Sequence, residues 1–277
     1  MNGISNIFIN KKILIYGLGK TGLSSSNFLK KQNTIFLYDD YKKNSIFKKK
    51  IEKLKFDAII ISPGIDINKC KLSKFLKKNL KIIYTDLDIF YSFYNNICIT
   101  ITGTNGKSTT CQLLYEVLKK EKKDVKLAGN IGYPILSIKN FNKKTIFVIE
   151  ASSYQLEYSK LFKSKYAVIL NISPDHLERH KTLQKYVSAK FKLIENQKKN
   201  SLALINKNNT LIMSKIKKRK YQSKIIKVNT KLTKNFINKF KNQNFLSGSN
   251  IENLSFVVKL SKILKVKKIN LIDVVKK

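Results

Sequence analysis

A glycine-rich loop ending in lysine and serine is the part of the sequence best suited to hold a nucleoside triphosphate. An apolar run from Ile97 to Ile101 leads into Gly103-Thr104-Asn105-Gly106-Lys107-Ser108-Thr109. Glycines let the backbone approach phosphate oxygens, and the amides that open the next helix point at them. Lys107 would neutralise the outer phosphates, and Ser108 would offer its hydroxyl to Mg²⁺. A full P-loop has a glycine at the position of Ile101, so we interpret this loop as a shorter variant.

A second glycine-rich turn lies near the N-terminus. Gly17-Leu18-Gly19-Lys20-Thr21-Gly22 follows an apolar run, and Asp39 follows the next one. This spacing fits a dinucleotide fingerprint, but the same turn could hold any nucleotide diphosphate or only pack a helix on a strand. Ser62-Pro63-Gly64 follows a third run. We expect these loops to share the carboxyl edge of one sheet.

Polar residues also follow two later apolar runs. Glu150 directly follows the run from Thr145 to Ile149, where a metal-binding acid belongs beside a phosphate loop. The loop after the next run holds both histidines, His176 and His180. A zinc hydrolase would place glutamate directly after the first histidine, which Glu178 does not satisfy. We therefore favour His176 as a single ligand to a second divalent ion or as a phosphate contact.

Short apolar runs alternate with stretches long enough for helices, which is typical of parallel sheets built from βαβ units. The order restarts near residue 95, so we predict two α/β domains. The first, residues 1–93, is Rossmann-like, and the second, residues 94–277, is a P-loop ATPase-like central domain. The predicted strands are residues 12–16, 34–38, 57–61, 81–84, 97–101, 145–149, 166–170, 201–205 and 224–228, and the predicted helices include residues 107–120 and 251–264.

The chain of 277 residues carries a formal net charge of +39. Such a charge suggests nucleic acid as a binding partner. However, only Arg179 and Arg219 are arginines among the 56 basic residues. Proteins that read bases use arginine for bidentate contacts. We interpret the lysines, which are spread over the whole chain, as solvated surface, and expect no nucleic-acid partner. Anionic substrates would still be attracted.

The three cysteines, Cys70, Cys98 and Cys111, have neither the spacing of a metal site nor an even count for disulfides. This fits a reducing compartment. No run approaches the roughly 18 consecutive apolar residues of a membrane span, and no export signal opens the chain. We expect a cytoplasmic protein without membrane insertion.

Five ordered motifs resemble those of the Mur ligases, the ATP-dependent amide-forming enzymes of peptidoglycan assembly. They are the phosphate loop, Gly129-Asn130-Ile131-Gly132, the run from Glu150 to Glu157, the run from Asn171 to His180, and Ala189-Lys190. The third motif is similar to that of the D-glutamate-adding branch. The resemblance therefore implies addition of D-glutamate to UDP-N-acetylmuramoyl-L-alanine through an acyl phosphate, by a monomer.

The resemblance also implies roles for individual residues. Lys107, Glu150, His176 and Lys190 would be catalytic, with Lys190 carbamylated. Mg²⁺ would be held by Ser108, Glu150, His176 and Lys190. ATP would contact Gly103, Thr104, Asn105, Gly106, Lys107, Ser108, Thr109, Asn250 and Asn253. The UDP substrate would contact Gly17, Gly19, Thr21, Gly22, Asp39, Ser62, Pro63, Gly64, Asn130 and Ser152.

Two departures from the family pattern qualify this expectation. A histidine that often precedes the last central helix is replaced in Gly248-Ser249-Asn250. The sequence also stops at Lys277, where family members continue into a third domain, so we expect that domain to be absent. A catalytically silent nucleotide-binding protein is the alternative function. A dinucleotide oxidoreductase is a third, which leaves the phosphate loop, Glu150 and His176 unexplained.

Overall fold

The computed structural model describes residues 6–42, 48–230 and 248–276. Its contacts divide the chain into two units. Unit 1 comprises Met1–Asn95, Pro134–Lys139 and Tyr154–Phe162, and unit 2 comprises Asn96–Tyr133, Asn140–Ser153 and Lys163–Lys277. The assignment of residues 1–93 to substrate binding and of 94–277 to ATP binding stays a prediction.

Unit 1 is built on a four-stranded parallel sheet with the order β2-β1-β3-β4. Because both faces of a parallel sheet are covered, its central strands read as continuous apolar runs. The elements are β1 (Lys12–Tyr16), α1 (Lys20–Leu29), β2 (Thr34–Tyr38), α2 (Lys48–Glu52), β3 (Ala58–Ile61), α3 (Ser73–Lys78), a 3₁₀ turn (Leu80–Ile82), β4 (Ile83–Tyr84) and α4 (Asp86–Phe93).

A buried carboxylate fixes one of the later segments of unit 1. Asp88 Oδ1 accepts hydrogen bonds from Ser159 Oγ and from the backbone amides of Lys160, Leu161 and Phe162, at 2.7–3.1 Å. Its Oδ2 accepts from the amide of Thr85, which closes a capping box at the start of α4. Since Asp88 is fully buried, these donors offset its lost hydration.

Unit 2 contains a six-stranded parallel sheet with the order β10-β9-β8-β5-β7-β6. The elements that follow α4 along the chain are β5 (Ile97–Thr102), α5 (Lys107–Lys120), β6 (Val125–Gly129), a 3₁₀ turn (Ile135–Ser137), β7 (Ile146–Glu150), α6 (Ser153–Tyr158), β8 (Tyr166–Ile169), α7 (Leu177–His180), α8 (Leu183–Glu195), β9 (Leu202–Asn206), α9 (Thr210–Lys217), β10 (Lys224–Val228), α10 (Gly248–Ile263) and α11 (Lys268–Val275). Of these, the 3₁₀ turn belongs to unit 1, and α6 begins at Ser153 of unit 2 and continues in unit 1.

The core of unit 2 fixes where its phosphate loop stands. Ile99 and Ile101 of β5 are fully buried in a cluster with Leu114 and Val117 of α5 and Val257 of α10. The apolar residues of α5 recur at helical spacing, so one face of the helix packs on the sheet. The loop between β5 and α5 is therefore held between two buried elements.

The predicted α/β class with two parallel sheets is confirmed. Two elements were missed: β6, whose Val-Lys-Leu-Ala-Gly run contains only one β-branched residue, and α11 after the last predicted helix. The predicted strand 81–84 is a 3₁₀ turn followed by a two-residue strand. Within the described residues, no helix combines the length and apolarity needed to cross a membrane.

Candidate nucleotide-binding site

The loop from Gly103 to Gly106 joins the carboxyl end of β5 to the first turn of α5. Gly106 has a φ of +79°, a left-handed conformation that favours glycine. A Cβ at this position would lie 2.0 Å from Asn253 Oδ1, so the side chain of Asn253 fills the space that the glycine leaves. Asn253, on α10, is buried. The side chain of Asn253, a predicted ATP contact, thus lies directly against the loop. Asn250, the second predicted contact on this helix, lies one turn earlier.

Ser108 and Glu150 are brought together at the start of α5. Ser108 Oγ donates a hydrogen bond of 2.7 Å to Glu150 Oε2. Glu150 is the last residue of β7, whose pairing with β5 sets it opposite Ile101. The pair therefore follows from the register of two neighbouring strands and the first turn of α5. Thr109 is exposed on the same turn.

Two lysines converge on one backbone oxygen of the loop. Lys107 Nζ donates to the carbonyl oxygen of Gly103 at 3.0 Å and to that of Thr104 at 2.7 Å. Lys190 Nζ, from α8, donates to the same Gly103 oxygen at 2.8 Å. Lys190 is 2% exposed. Burial, and then the nearby charge of Lys107, lower the pKa of Lys190 to about 7, although Asp175 acts in the opposite direction.

Asn171 holds the loop from the other side. Its Oδ1 accepts hydrogen bonds from the amides of Thr104 and Asn105, at 3.1 and 2.9 Å. Its Nδ2 donates to Glu252 Oε1 on α10 at 2.6 Å. The residue directly follows Leu170, at the carboxyl end of β8. One side-chain amide therefore links β8, the phosphate loop and α10.

The two histidines lie in different surroundings. His176 is exposed, with Nε2 3.4 Å from Asp175 Oδ2 and Nδ1 3.8 Å from Glu178 Oε1. His180 is buried, and its Nε2 lies 3.0 Å from Ser153 Oγ. Tyr186 packs against both rings, with centroids 6.2 Å from His176 and 5.3 Å from His180. This arrangement does not fit a shared zinc ion, which was the alternative weighed for the pair.

Tyr186 also reaches the loop and the buried lysine. Its hydroxyl lies 3.1 Å from Thr104 Oγ1, and Lys190 Nζ lies 4.5 Å from the centre of its ring. The tyrosine is 1% exposed. Tyr186 and Lys190 are four residues apart on α8, so one helix face supplies both groups.

The segment from Gly129 to Gly132 packs against the end of β7. The amide of Asn130 donates to the carbonyl oxygen of Glu150 at 3.1 Å. Gly129 has a φ of +104°, and a Cβ there would meet the same Glu150 oxygen at 2.2 Å. The side chain of Asn130 is exposed, and Ser152 is half-buried two residues after Glu150. Both predicted substrate residues thus lie within the unit that carries the phosphate loop.

The remaining predicted substrate residues lie in unit 1. A Cβ on Gly22 would lie 1.8 Å from the Gly17 carbonyl oxygen, which Ser62 Oγ donates to at 2.6 Å. The turn is therefore tightly closed. In the same turn, a Cβ on Gly19 would meet nothing within 4 Å, and Thr21 is half-buried. In the loop after β3, Pro63 is half-buried and Gly64 faces open space.

Asp39 is tied to the same turn. Its Oδ2 accepts a hydrogen bond of 2.7 Å from the amide of Leu18, and its Oδ1 accepts one of 3.0 Å from the amide of Tyr41. Partial burial raises the pKa of Asp39, but these donors and Lys42 outweigh that effect and lower it. An ionised carboxylate thus stands directly beside the glycine turn.

The donor set fits Mg²⁺ better than a transition metal. The described residues include no group of three or more His, Cys, Asp or Glu side chains placed to hold a metal ion. Ser108 and Glu150 offer hard oxygens, and Mg²⁺ often takes one or two protein oxygens together with substrate phosphates. Lys190 in its protonated, ammonium form has no lone pair and cannot be a ligand. These residues therefore fit a phosphate-bound Mg²⁺.

Sequence reasoning gave no separate role to three residues that build this site. Asn171 stood inside a recognised motif, and its position at the end of a strand was the available signal. The clustering of His180 with His176 was a signal, but it assigned a role to His176 alone. Tyr186 carried no signal, because a tyrosine at helical spacing looks like a core residue. Their partners are distant in sequence.

Residues 101–272 match the Mur ligase middle domain. The chain belongs to the Mur ligase family. Members of this family are ATP-dependent amide-forming ligases. The match begins in β5 and includes every residue of the site just described within unit 2.

Curated Mur ligases with similar sequences carry one printed name, UDP-N-acetylmuramoylalanine–D-glutamate ligase. That of Caldicellulosiruptor bescii is 38% identical over 222 residues, covering 73% of this chain and 48% of the relative. That of Rickettsia prowazekii is 39% identical over 217 residues, covering 74% and 48%. The chain thus spans about half the length of the curated relatives it matches.

Solved structures of Mur ligases show the same fold. The UDP-N-acetylmuramate:L-alanyl-γ-D-glutamyl-meso-diaminopimelate ligase of Neisseria meningitides aligns with a TM-score of 0.64 and 15% identity, covering 96% of this chain and 98% of that one. The UDP-N-acetylmuramate-alanine ligase of Thermotoga maritima aligns at 0.53 and 16%, covering 96% and 68%. At such identities the likeness concerns the fold.

Proposed function

We propose that the chain supplies the ATP-binding and UDP-substrate-binding parts of a ligase that adds D-glutamate to UDP-N-acetylmuramoyl-L-alanine. The observation that carries the proposal is the convergence of Lys107, Lys190 and the Ser108–Glu150 pair on a phosphate loop. The substrate choice rests on the curated relatives, named for D-glutamate addition at 37–39% identity.

ATP would bind with its phosphates along the loop from Gly103 to Ser108. The N-terminus of the 14-residue helix α5 supplies amide donors and the positive end of a helix dipole. Lys107 adds a charge that is already aimed at the loop. Asn253 and Asn250 on α10 would contact the nucleotide. The loop is held by Asn171, so little ordering would remain to oppose binding.

Mg²⁺ would be held by Ser108 and Glu150, and a second ion by His176. When bound, such ions neutralise the charge that develops on a transferring phosphoryl group. Ser108 and Glu150 are already hydrogen-bonded, so both oxygens face one small volume. His176 is exposed on its loop, which leaves its ring accessible to a ligand.

Lys190 would act as a carbamate. Its neutral amine can attack CO₂, forming an N–C bond and releasing one proton, which leaves a carboxylate on the side chain. A pKa lowered to about 7 supplies neutral amine near neutral pH. The product would replace one of two neighbouring cations by an anion, which relieves the repulsion between Lys190 and Lys107 and gives a third oxygen ligand.

The UDP part of the substrate would bind at the turn from Gly17 to Gly22, with Ser62, Pro63, Gly64 and Asp39 beside it. Asn130 and Ser152, which belong to unit 2, are further proposed contacts of the UDP substrate. The tight Gly17–Gly22 turn supports a diphosphate contact, since glycines allow close approach of the backbone.

The chemistry would proceed in two transfers. The terminal alanine carboxylate attacks the γ-phosphorus of ATP, a P–O bond to ADP breaks, and an acyl phosphate forms. The amine of D-glutamate then attacks the acyl carbon, and phosphate leaves as the amide forms and a proton is released. This chain's residues hold the phosphates in line and balance their charge, which is the main demand of phosphoryl transfer.

The experiment measures phosphate release by the full chain. It should require ATP, Mg²⁺, UDP-N-acetylmuramoyl-L-alanine and D-glutamate together. Lys107→Ala should slow release by roughly two orders of magnitude, whereas Lys119→Ala, at an exposed position of the same helix, should not. Turnover with L-lysine or diaminopimelate in place of D-glutamate would contradict the substrate assignment.

Calorimetry distinguishes the alternative. Binding of ADP and of the UDP substrate without any ADP formation from ATP would favour the catalytically silent binding protein. Absence of both binding and turnover would contradict both functions.

A further inference from the structure

A buried hydrogen bond spans the carboxyl edge of the unit 2 sheet. Ser153 begins α6, three residues after the end of β7, and His180 ends α7, in the segment that follows β8. In the sheet, β5 lies between β7 and β8. The 3.0 Å contact between Ser153 Oγ and His180 Nε2 therefore crosses over the end of β5, where the phosphate loop starts. We call this hydrogen bond the clip.

The clip is enclosed and continues to the phosphate loop. Ser153 and His180 are 3% and 2% exposed. Tyr186 stacks on the His180 ring at 5.3 Å, and its hydroxyl lies 3.1 Å from Thr104 Oγ1. A series of contacts thus runs from Ser153 through the histidine and Tyr186 to the loop. Buried polar groups are costly to leave unmatched, so this arrangement resists local rearrangement.

The histidine is suited to a fixed structural contact rather than to proton transfer. Burial, together with Arg179, Lys190 and His176, lowers the pKa of His180 to about 4, and Glu178 acts weakly against this. The ring is therefore neutral near pH 7, with one nitrogen that donates and one that accepts. Either tautomer can make the contact with the Ser153 hydroxyl.

We propose that His180 is a positioning residue, which through Ser153 holds the start of α6 and thereby the orientation of Glu150 and Ser152 toward the phosphate loop. The same residue fixes the end of the segment that carries His176. The inference rests on the proposed function, because the positioned groups are the proposed ligands of Mg²⁺ and substrate. Its effect should appear in the part of nucleotide binding that depends on Mg²⁺.

The test compares ADP dissociation constants with and without Mg²⁺ in the full chain. His180→Leu removes the clip from one side, and Ser153→Ala removes it from the other. His180→Gln keeps a side-chain amide near the position of Nε2. Ser164→Ala is the matched control, since it removes buried hydrogen bonds to Cys98 and Thr100 at the opposite end of β5.

We expect His180→Leu and Ser153→Ala each to reduce the Mg²⁺-dependent gain in ADP affinity about fivefold. The double variant should lose no more than either single variant, because both remove one interaction. His180→Gln should stay within about twofold of wild type. Ser164→Ala should lower the melting temperature while leaving the Mg²⁺-dependent gain intact.

An unchanged gain in His180→Leu, an additive loss in the double variant, or an equal loss in Ser164→Ala would overturn the proposal. Wild-type protein that shows no Mg²⁺-dependent gain would instead contradict the proposed function, and the role of the clip would fall with it. The two failures are distinguishable because only the second is visible in the wild type.

Discussion

Lys107 and Lys190 donate hydrogen bonds to the same carbonyl oxygen, that of Gly103, at 3.0 and 2.8 Å. Two ammonium groups on one acceptor repel each other. The pKa of the buried one is lowered more, because its charge is less hydrated. Burial in the first place, and the charge of Lys107 in the second, lower the pKa of Lys190 to about 7. An anion at this loop would be attracted by both groups.

Replacing Lys107 by alanine should therefore raise the pKa of Lys190. Burial remains, but the neighbouring positive charge is gone, so the shift is upward from about 7. NMR titration of the lysine side chains in wild type and Lys107→Ala would measure it. Lys119→Ala is the control, and an unchanged Lys190 titration in Lys107→Ala would contradict the electrostatic link. In turnover, Lys107→Ala should cost on the order of 3 kcal/mol of transition-state stabilisation.

Asn171→Ala should weaken nucleotide binding more than it weakens the fold. The substitution leaves the amide of Asn105 without its acceptor, whereas the amide of Thr104 keeps its 3.0 Å hydrogen bond to the backbone oxygen of Asn171. The lost partner costs about 1–3 kcal/mol where the amide stays unsatisfied. We expect ADP affinity to fall by at least about tenfold. Asn33→Ala is the comparison, since it leaves the amide of Lys11 in unit 1 without its side-chain acceptor and should lower stability alone. Equal ADP affinities in the two variants would argue against the proposal that Asn171 holds the phosphate loop for nucleotide binding.

Gly22→Ala and Gly19→Ala should behave very differently although they lie in one turn. A Cβ on Gly22 would meet the Gly17 carbonyl oxygen at 1.8 Å, whereas a Cβ on Gly19 would meet nothing within 4 Å. Because the obstacle is backbone, Gly22→Ala should destabilise unit 1 by at least about 2 kcal/mol. Gly19→Ala should stay within about 0.5 kcal/mol of wild type. Denaturant unfolding measures both, and similar values for the two would refute this account.

Much of the fold could be predicted because its signals are local. Strand β10 was predicted with its observed bounds, 224–228, and α5 with its observed bounds, 107–120. Continuous apolar runs between polar segments are enough to identify buried parallel strands. By contrast β6 was missed, since only Val125 of its five residues is β-branched, and the strand is recognisable only by its pairing with β7.

The site divides along the same line. The phosphate loop and Glu150 can be recognised in the sequence by their residue types and by their position at the end of a predicted strand. The contacts of Asn171 and the convergence of Lys190 on Gly103 join residues 66 to 87 positions apart in sequence. Such contacts depend on the order of strands in the sheet, which no local pattern fixes.

His180 should make folding stability fall as the solution is acidified from neutral pH. Its pKa is about 4 in the folded chain against 6.5 ordinarily, so the unfolded chain binds more protons between these values. Its contribution is therefore complete above about pH 6.5 and is lost as pH falls toward 4. Glutamine does not titrate, so the stability of His180→Gln relative to wild type should improve as the pH falls through this window. Denaturant unfolding at several pH values measures it, and parallel curves would contradict the shift.

The titration of Asp86 should change folding stability with pH in the opposite direction to that of His180, over nearly the same pH range. Asp86 is buried in unit 1, where Gln155 Nε2 lies 3.1 and 3.3 Å from its two oxygens. Burial raises its pKa from 3.8 to about 6, and hydrogen bonds from Gln155 and Leu87 only partly oppose this.

The folded chain therefore binds the extra proton, so the Asp86 contribution is present below about pH 3.8 and is lost as pH rises through 6. Asp86→Asn, neutral at every pH, should gain on wild type by roughly 2 kcal/mol between pH 4 and 7. Because His180 and Asp86 oppose each other, wild-type stability alone would change little between pH 4.5 and 6. Only the two variants, His180→Gln and Asp86→Asn, separate the two titrations. If the stability of a variant relative to wild type changed with pH in the direction opposite to that stated, the residue would not titrate as described.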